Sequence, residues 1–255
     1  MSAFILKLIA IISMLIDHTA HIFQNEISGV SPWLYIAMRA VGRLAFPLFA
    51  FGVAEGAIRT RSGKKYLGRM LLFAVVSQIP FSLMVGLTRP DFTFSLFGRA
   101  FGFSSKLSVM VTLFLGLVLC LSYKEKRPFP ALGALAASYF LAGRPGMDYG
   151  FWGVLLVFGL FIVREKKLRL LVVLLAFALI IQSGAAVSAA KYVLGIGGVE
   201  LRGVIRDLIC LAATALAALP VMLYNGKRGP KTGIWAYLVY PAHIAALLIV
   251  KYLFF

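Results

Sequence analysis

Apolar runs follow one another through almost the whole chain, with only short charged segments between them. Nine can be drawn, near residues 3–23, 33–58, 70–87, 107–123, 129–143, 150–163, 170–187, 204–224 and 234–254. A backbone placed in lipid must satisfy its own N–H and C=O groups, which leaves helices or closed barrels. Runs of about 20 apolar residues match the helical solution. The expected fold is therefore an all-α polytopic membrane protein, a single bundle of about nine transmembrane helices (8–10), one transmembrane domain over 1–255. Composition agrees. Of the 255 residues 61% are hydrophobic and 14% charged, where ordinary globular domains carry roughly a quarter charged residues. Mean hydropathy is +0.93. These values exclude a soluble enzyme, a disordered chain and a disulfide scaffold. Cys120 and Cys210 both lie inside apolar runs, as packing residues would. Asp17 and His18 interrupt the first run and no small-residue cleavage site follows cleanly, so it is read as a retained span.

The chain carries 26 Lys and Arg against 9 Asp and Glu, a net charge of +17. In a soluble protein that excess would suggest nucleic acid. Here fifteen of the basic residues fall in four loops, 59–69, 124–128, 164–169 and 225–231, that would share one side of the membrane. Seven fall on the other: Arg89, Arg99, Lys106, Arg144, Lys191, Arg202 and Arg206. The asymmetry obeys the positive-inside rule and predicts a cytoplasmic N-terminus. Most of the charge is thus a topology signal, and no nucleic-acid partner is expected. No internal repeat, low-complexity segment or matching pair of broken helices is apparent.

A few ionisable groups do not fit that account, because they fall within spans, where such groups are costly and mark function. They are Lys7, Asp17, His18 and His21 in the first span and Arg39, Arg43 and Glu55 in the second. Gln78 lies before Pro80 in the third, Arg206 and Asp207 open the eighth, and His243 follows Pro241 in the ninth. Lys7 and His18 are eleven residues apart, which leaves them about 20° apart on one helix face and about 16 Å apart along it. Arg39 and Arg43 are i,i+4 neighbours, at roughly the depth of His18. Glu55 lies near the depth of Lys7, and Gln78 and His243 near the middle. Such a file suits a long ligand entering from the cytoplasm with a phosphate end and a reactive tip. Lys7 would meet the phosphate as a point charge, and His18 would act at the tip as general base. Asp17 points about 100° away from its neighbour, so an orienting partner for His18 would come from another span, with Gln78 a candidate. Asp17 would instead pair with Arg39 or Arg43. The plainer alternatives stay open: Lys7 as a snorkelling or topology charge, Arg39 and Arg43 as helix-to-helix glue, His21 as interfacial, and His243 as a residue of a helix break. Asp17, His18 and His21 are too few ligands for a metal site, and none is expected.

Several stretches, in order, resemble the TraX family. They are LKLIAIISMLIDH (6–18), MRAVGRLAFPLFAFGVAEG (38–56), the basic segment ending in KKYLGR at Arg69, SQIPF (77–81), TLFLGL (112–117), DYGFWGVLL (148–156), YNGKRG (224–229) and YPAH (240–243). Where that family commonly has an Asn shortly before the Thr-Leu of the fourth span, this chain has Ser108. The founding member acetylates the N-terminus of conjugative pilin subunits in the bacterial inner membrane. The spacing Lys7-X10-His18 also looks like the Arg/Lys-X10-His motif of integral-membrane O-acyltransferases. Those resemblances imply a multi-pass inner-membrane acetyltransferase with acetyl-CoA as donor. They imply His18 as the base and Lys7 as a contact to CoA. On this reading Arg43 would stabilise the oxyanion, with Asp17 beside the catalytic group. Arg39, Glu55, Arg59, Lys65, Gln78 and His243 would line the donor's path. The acceptor would be a protein N-terminus, a saccharide or a lipid. The alternative is a proton-coupled transporter of a small solute, whose intramembrane His, Asp and Arg would look the same.

Overall fold

The computed structural model describes residues 1–96, 98–143, 145–164, 166–198, 200–230 and 232–255. Arg144 and Lys231, two of the basic residues assigned to sides above, lie outside them. The described chain is nearly all helical. It begins with α1 (Ala3–Ile22), α2 (Gln24–Val30), α3 (Pro32–Gly42), α4 (Ala45–Arg59) and α5 (Gly63–Gly86). A two-stranded hairpin follows, β1 (Phe92–Leu96) and β2 (Arg99–Phe103). Then come α6 (Val109–Lys124), α7 (Pro128–Gly143), α8 (Gly150–Val163), α9 (Lys167–Ile181) and α10 (Ser183–Val193). The last are α11 (Leu201–Leu216), α12 (Ala218–Met222) and α13 (Trp235–Phe254).

Among the described residues five segments are long and apolar enough to cross a membrane: α1, α3 with α4, α5, α11 with α12, and α13. The pair α9 and α10 makes a sixth if counted as one span, bent by 52°. By length and composition the described residues thus offer five or six, and the nine expected are not confirmed. Length explains the difference. α6, α7 and α8 have 16, 16 and 14 residues, which at 1.5 Å per residue reach about 21–24 Å, short of a hydrocarbon core of about 30 Å. Two further expectations are corrected. The fold is not wholly helical, since the hairpin occupies what reads as a loop. Helices are also broken in mid-run, at Arg43–Leu44, at Gln182 and at Ala217.

The chain divides into two compact units. The first comprises Met1–Ala20, Gln24–Phe49 and Val163–Gly229. In it α11 packs on α3 and α9, α10 on α11, and α12 on α9. Its core includes Ala10, Phe46, Leu48, Leu174 and Phe177, with the rings of Phe46 and Phe177 5.6 Å apart. Ser31 caps α3 by accepting from the Leu34 N–H at 3.3 Å, and Pro32 supplies the preset φ of a first helical residue.

The second unit comprises His21–Phe23, Ala50–Ile162 and Pro230–Phe255. Here α5 is central, packed on α6, α13 and β2, and α7 lies against α6. Leu117, Cys120, Val154, Val157 and Leu160 are fully buried. A Cβ on Gly116 would strike Val157, so a small residue lets the α6 backbone come close, a common device between membrane helices. Lys124, at the end of α6, donates to the carbonyls of Ala57 (3.0 Å) and Ile58 (2.9 Å). It thereby caps the last turn of α4, a local role beyond the topology charge expected of it.

Candidate functional site

α1 is one uninterrupted helix of 20 residues, so the eleven-residue spacing of Lys7 and His18 does place both on one face. Both are half-buried. Asp17, beside His18, forms an ion pair with Arg39 of α3 at 2.9 Å. The same Arg39 Nη1 donates to the Asp17 carbonyl at 3.4 Å. Of the two partners open to Asp17, Arg39 is seen to pair with it. Close backbone approach makes the pair possible: a Cβ on Gly42, one turn beyond Arg39, would overlap the Asp17 side chain. Arg43 follows directly, as the residue that ends α3, and its backbone N–H donates to the Ala40 carbonyl at 3.0 Å. Lys7, Asp17, His18, Arg39 and Arg43 all belong to the first unit.

The remaining expected residues belong to the second unit. Glu55 is buried and accepts from Arg59 Nε at 2.7 Å, an i,i+4 pair along α4. Lys65 is exposed at the start of α5. Gln78 is occupied on both sides of its amide. Its Nε2 donates to Ser82 Oγ (3.0 Å) and to the Lys106 carbonyl (2.8 Å), and its Oε1 accepts from the Ser108 N–H (3.0 Å). It thus ties α5 to the segment entering α6. His243 Nδ1 faces the Val239 carbonyl one turn back. That contact selects the tautomer with the proton on Nδ1 and the lone pair on Nε2. His243 and Gln78 share a level in this unit. Phe73 of α5 stacks on Tyr237 of α13 at 5.3 Å, and the far ends of both helices meet β2, through Gly86–Gly102 and Phe101–Tyr252. The helices therefore run in parallel, and six residues on from the stacked pair stand Ile79 and His243.

Around that level lie polar groups that the sequence did not bring together. Lys106 pairs with Asp148 at 3.0 Å, and Thr112 donates to the Asp148 carbonyl. The hydroxyls of Ser77 and Ser108 are buried with no hydrogen-bond partner among the described residues. Spacing could not find these, because Lys106 and Asp148 are 42 residues apart. The one available signal was the departure at Ser108 from the family's Asn.

Known proteins are similar to this chain over nearly all of it. A family model described as TraX protein matches residues 2–251. A protein of Dichelobacter nodosus described as "Probable fimbrial assembly protein FimC, serogroup H1" is 31% identical over 259 residues, covering 98% of this chain and 96% of its own length. No solved structure matches.

Proposed function

We propose, from the premise that the chain belongs to the TraX family, that it is a multi-pass membrane acetyltransferase. It would move an acetyl group from acetyl-CoA to an amine or hydroxyl at the membrane. The favoured acceptor is the N-terminus of a pilin or fimbrial subunit, since the Dichelobacter relative is described as a fimbrial assembly protein. The membrane would be the bacterial inner membrane, with the N-terminus of this chain in the cytoplasm. The observation that carries the reading is Lys7 and His18 on one face of an unbroken α1, with the adjacent Asp17 held by Arg39.

In this scheme the His18 imidazole takes the proton of the acceptor amine as the nitrogen attacks the thioester carbonyl. Arg43 faces the oxyanion as it forms. Collapse breaks the C–S bond, and the imidazolium returns its proton to the departing CoA thiolate. Lys7, about 16 Å away along the helix, holds the donor's phosphate end. The Asp17–Arg39 pair acts on position: it fixes α1 against α3 and so fixes the direction of His18.

A second reading, the solute transporter, gains from the broken helices, since such breaks line substrate sites in carriers. The two readings separate in one purified sample. Incubation with labelled acetyl-CoA and a pilin N-terminal peptide is expected to label the peptide, and CoA is expected to raise the melting temperature. No labelling, and stabilisation by small solutes but not by CoA, would favour the carrier.

A further inference from the structure

The β1–β2 hairpin has two unlike faces. Residues paired across the strands share a face, so Phe92, Phe94, Phe101 and Phe103 lie on one, and Thr93, Ser95, Ala100 and Gly102 on the other. The small, polar face is turned to the end of α5. A Cβ on Gly102 would overlap the Gly86 carbonyl, and a Cβ on Gly86 the Gly102 carbonyl. Two more contacts hold the hairpin there. The Ser104 N–H donates to the Ser82 carbonyl at 3.0 Å, and the Phe101 ring lies 4.4 Å from that of Tyr252, close to the end of α13. The hairpin is thus fixed to the ends of two segments long enough to cross a membrane.

The phenylalanine face looks away from α5. Phe92 and Phe94 keep 55% and 38% of their surface exposed. Arg99 alternates with Phe101 and Phe103 along β2, so it shares their face, and it is exposed, as is Arg89 just before β1. The nearby acid, Asp91, is engaged by the Ser104 and Ser105 hydroxyls. What covers such a face follows from its level. α5 has 24 residues and α13 has 20, each enough to cross a hydrocarbon core of about 30 Å, so their ends emerge among the headgroups. Aromatic rings gather at that level. Chain placed there needs its backbone groups satisfied, and the two strands satisfy each other's facing edges. Arginines beside the rings complement lipid phosphates, with their stems along the apolar boundary.

We propose that the phenylalanine face of the hairpin lies on the lipid bilayer, its rings at the boundary of headgroups and acyl chains and Arg89 and Arg99 against lipid phosphates. The hairpin then acts as a float: bound to α5 and α13 on one side and to lipid on the other, it sets the depth at which those two helices end. Lipid is the occupant because the face continues the ends of two spans and is edged by basic side chains. No step of acetyl transfer uses the hairpin, so the proposal does not depend on that reading.

The test uses the full-length protein, with Cys120 and Cys210 replaced by alanine, at one copy per nanodisc of phosphatidylcholine and phosphatidylglycerol. A nitroxide is attached at Phe94→Cys or at its neighbour Ser95→Cys, which lie on opposite faces, and its collisions with oxygen and with a water-soluble nickel chelate are measured by spin resonance. Oxygen concentrates in lipid and the chelate in water. The ratio of oxygen to nickel collisions is expected to be at least about threefold higher at 94 than at 95. Phe92→Cys reads the same face as Phe94→Cys and serves if that variant does not fold. Arg89→Gln with Arg99→Gln should lower the ratio at 94; an unchanged ratio would remove the phosphate contacts. Equal ratios at 94 and 95 would put the phenylalanine face in water and overturn the proposal. So would a label at 94 that neither reagent reaches, which would mean that protein covers the face, or one that becomes lipid-shielded only when two copies share a disc, which would make a second copy the occupant.

Discussion

Asp17 and Arg39 decide more than their own contact. Their side chains are about one-fifth exposed (19% and 20%), so the pair is shielded enough to matter and wet enough to be weaker than a fully buried one. Asp17→Asn is expected to destabilise the protein by about 1–3 kcal/mol. A double-mutant cycle with Arg39→Gln should return a coupling of about 0.5–3 kcal/mol, measured by thermal or denaturant unfolding in detergent; zero coupling would separate the two residues. Gly42 gives an independent check. Gly42→Ala leaves both charges in place but puts a methyl where the Asp17 side chain sits. It should lower stability, and it should lower kcat for acetyl transfer more than it raises KM, because it tilts α1 and with it His18. The pairing of Asp17 with Arg39 was one of two that the sequence left open. Both arginines lie at i,i+4 spacing on the same expected face, so spacing alone could not decide between them.

At the scale of elements, the apolar runs located every long helix, because hydrophobic length is a property of one segment alone. The bounds of α6, α7 and α8 also fall within two residues of the runs at 107–123, 129–143 and 150–163; what the runs alone did not weigh is that 14 to 16 residues are short for a span. The hairpin was missed for a different reason: four phenylalanines in an otherwise apolar chain look like more of the same. Their period was the usable signal. Phe92 and Phe94 pair across the strands with Phe103 and Phe101, with ring centroids 5.1 and 5.5 Å apart, as alternate residues on one face do. Asp91 closes the base of this hairpin. Its carboxylate accepts from the Ser105 hydroxyl at 2.6 Å, from the Ser105 N–H and from the Ser104 hydroxyl at 3.3 Å. These bonds favour the charged form and hold its pKa below the ordinary carboxylate value. A depressed folded pKa means stabilisation that is full above about pH 4 and is lost as pH falls through the lower folded value. Exchange of the Ser105 amide with solvent should therefore quicken as pH drops below about 4, beyond the intrinsic pH effect on exchange. Asp91→Asn should show the fast exchange at neutral pH as well. Equal protection in both proteins at pH 7 would remove Asp91 from this role.

For the whole molecule, charge placement and helix lengths make separate claims. Fifteen basic residues in four loops predict those loops on the cytoplasmic side, whereas among the described residues five or six segments are long enough to span. Single cysteines introduced at Ser62 and Ser95, in a background lacking Cys120 and Cys210, would test the orientation. A membrane-impermeant thiol reagent applied to intact cells lacking an outer-membrane barrier should label position 95 and not 62; the reverse pattern would invert the topology. The candidate site was legible in part. Spacing put Lys7 and His18 on one face, and they share it because α1 is unbroken. The ion pair of Lys106 with Asp148 joins residues distant in sequence, and no helical period reports such a contact. The account centres on His18 as the base, and one measurement reaches it most directly. Purified protein is loaded with acetyl-CoA and mixed with a pilin N-terminal peptide under single-turnover conditions, comparing wild type with His18→Ala. The account predicts that His18→Ala still binds acetyl-CoA but transfers acetyl at least about a hundredfold more slowly. Transfer at the wild-type rate by folded His18→Ala would contradict it.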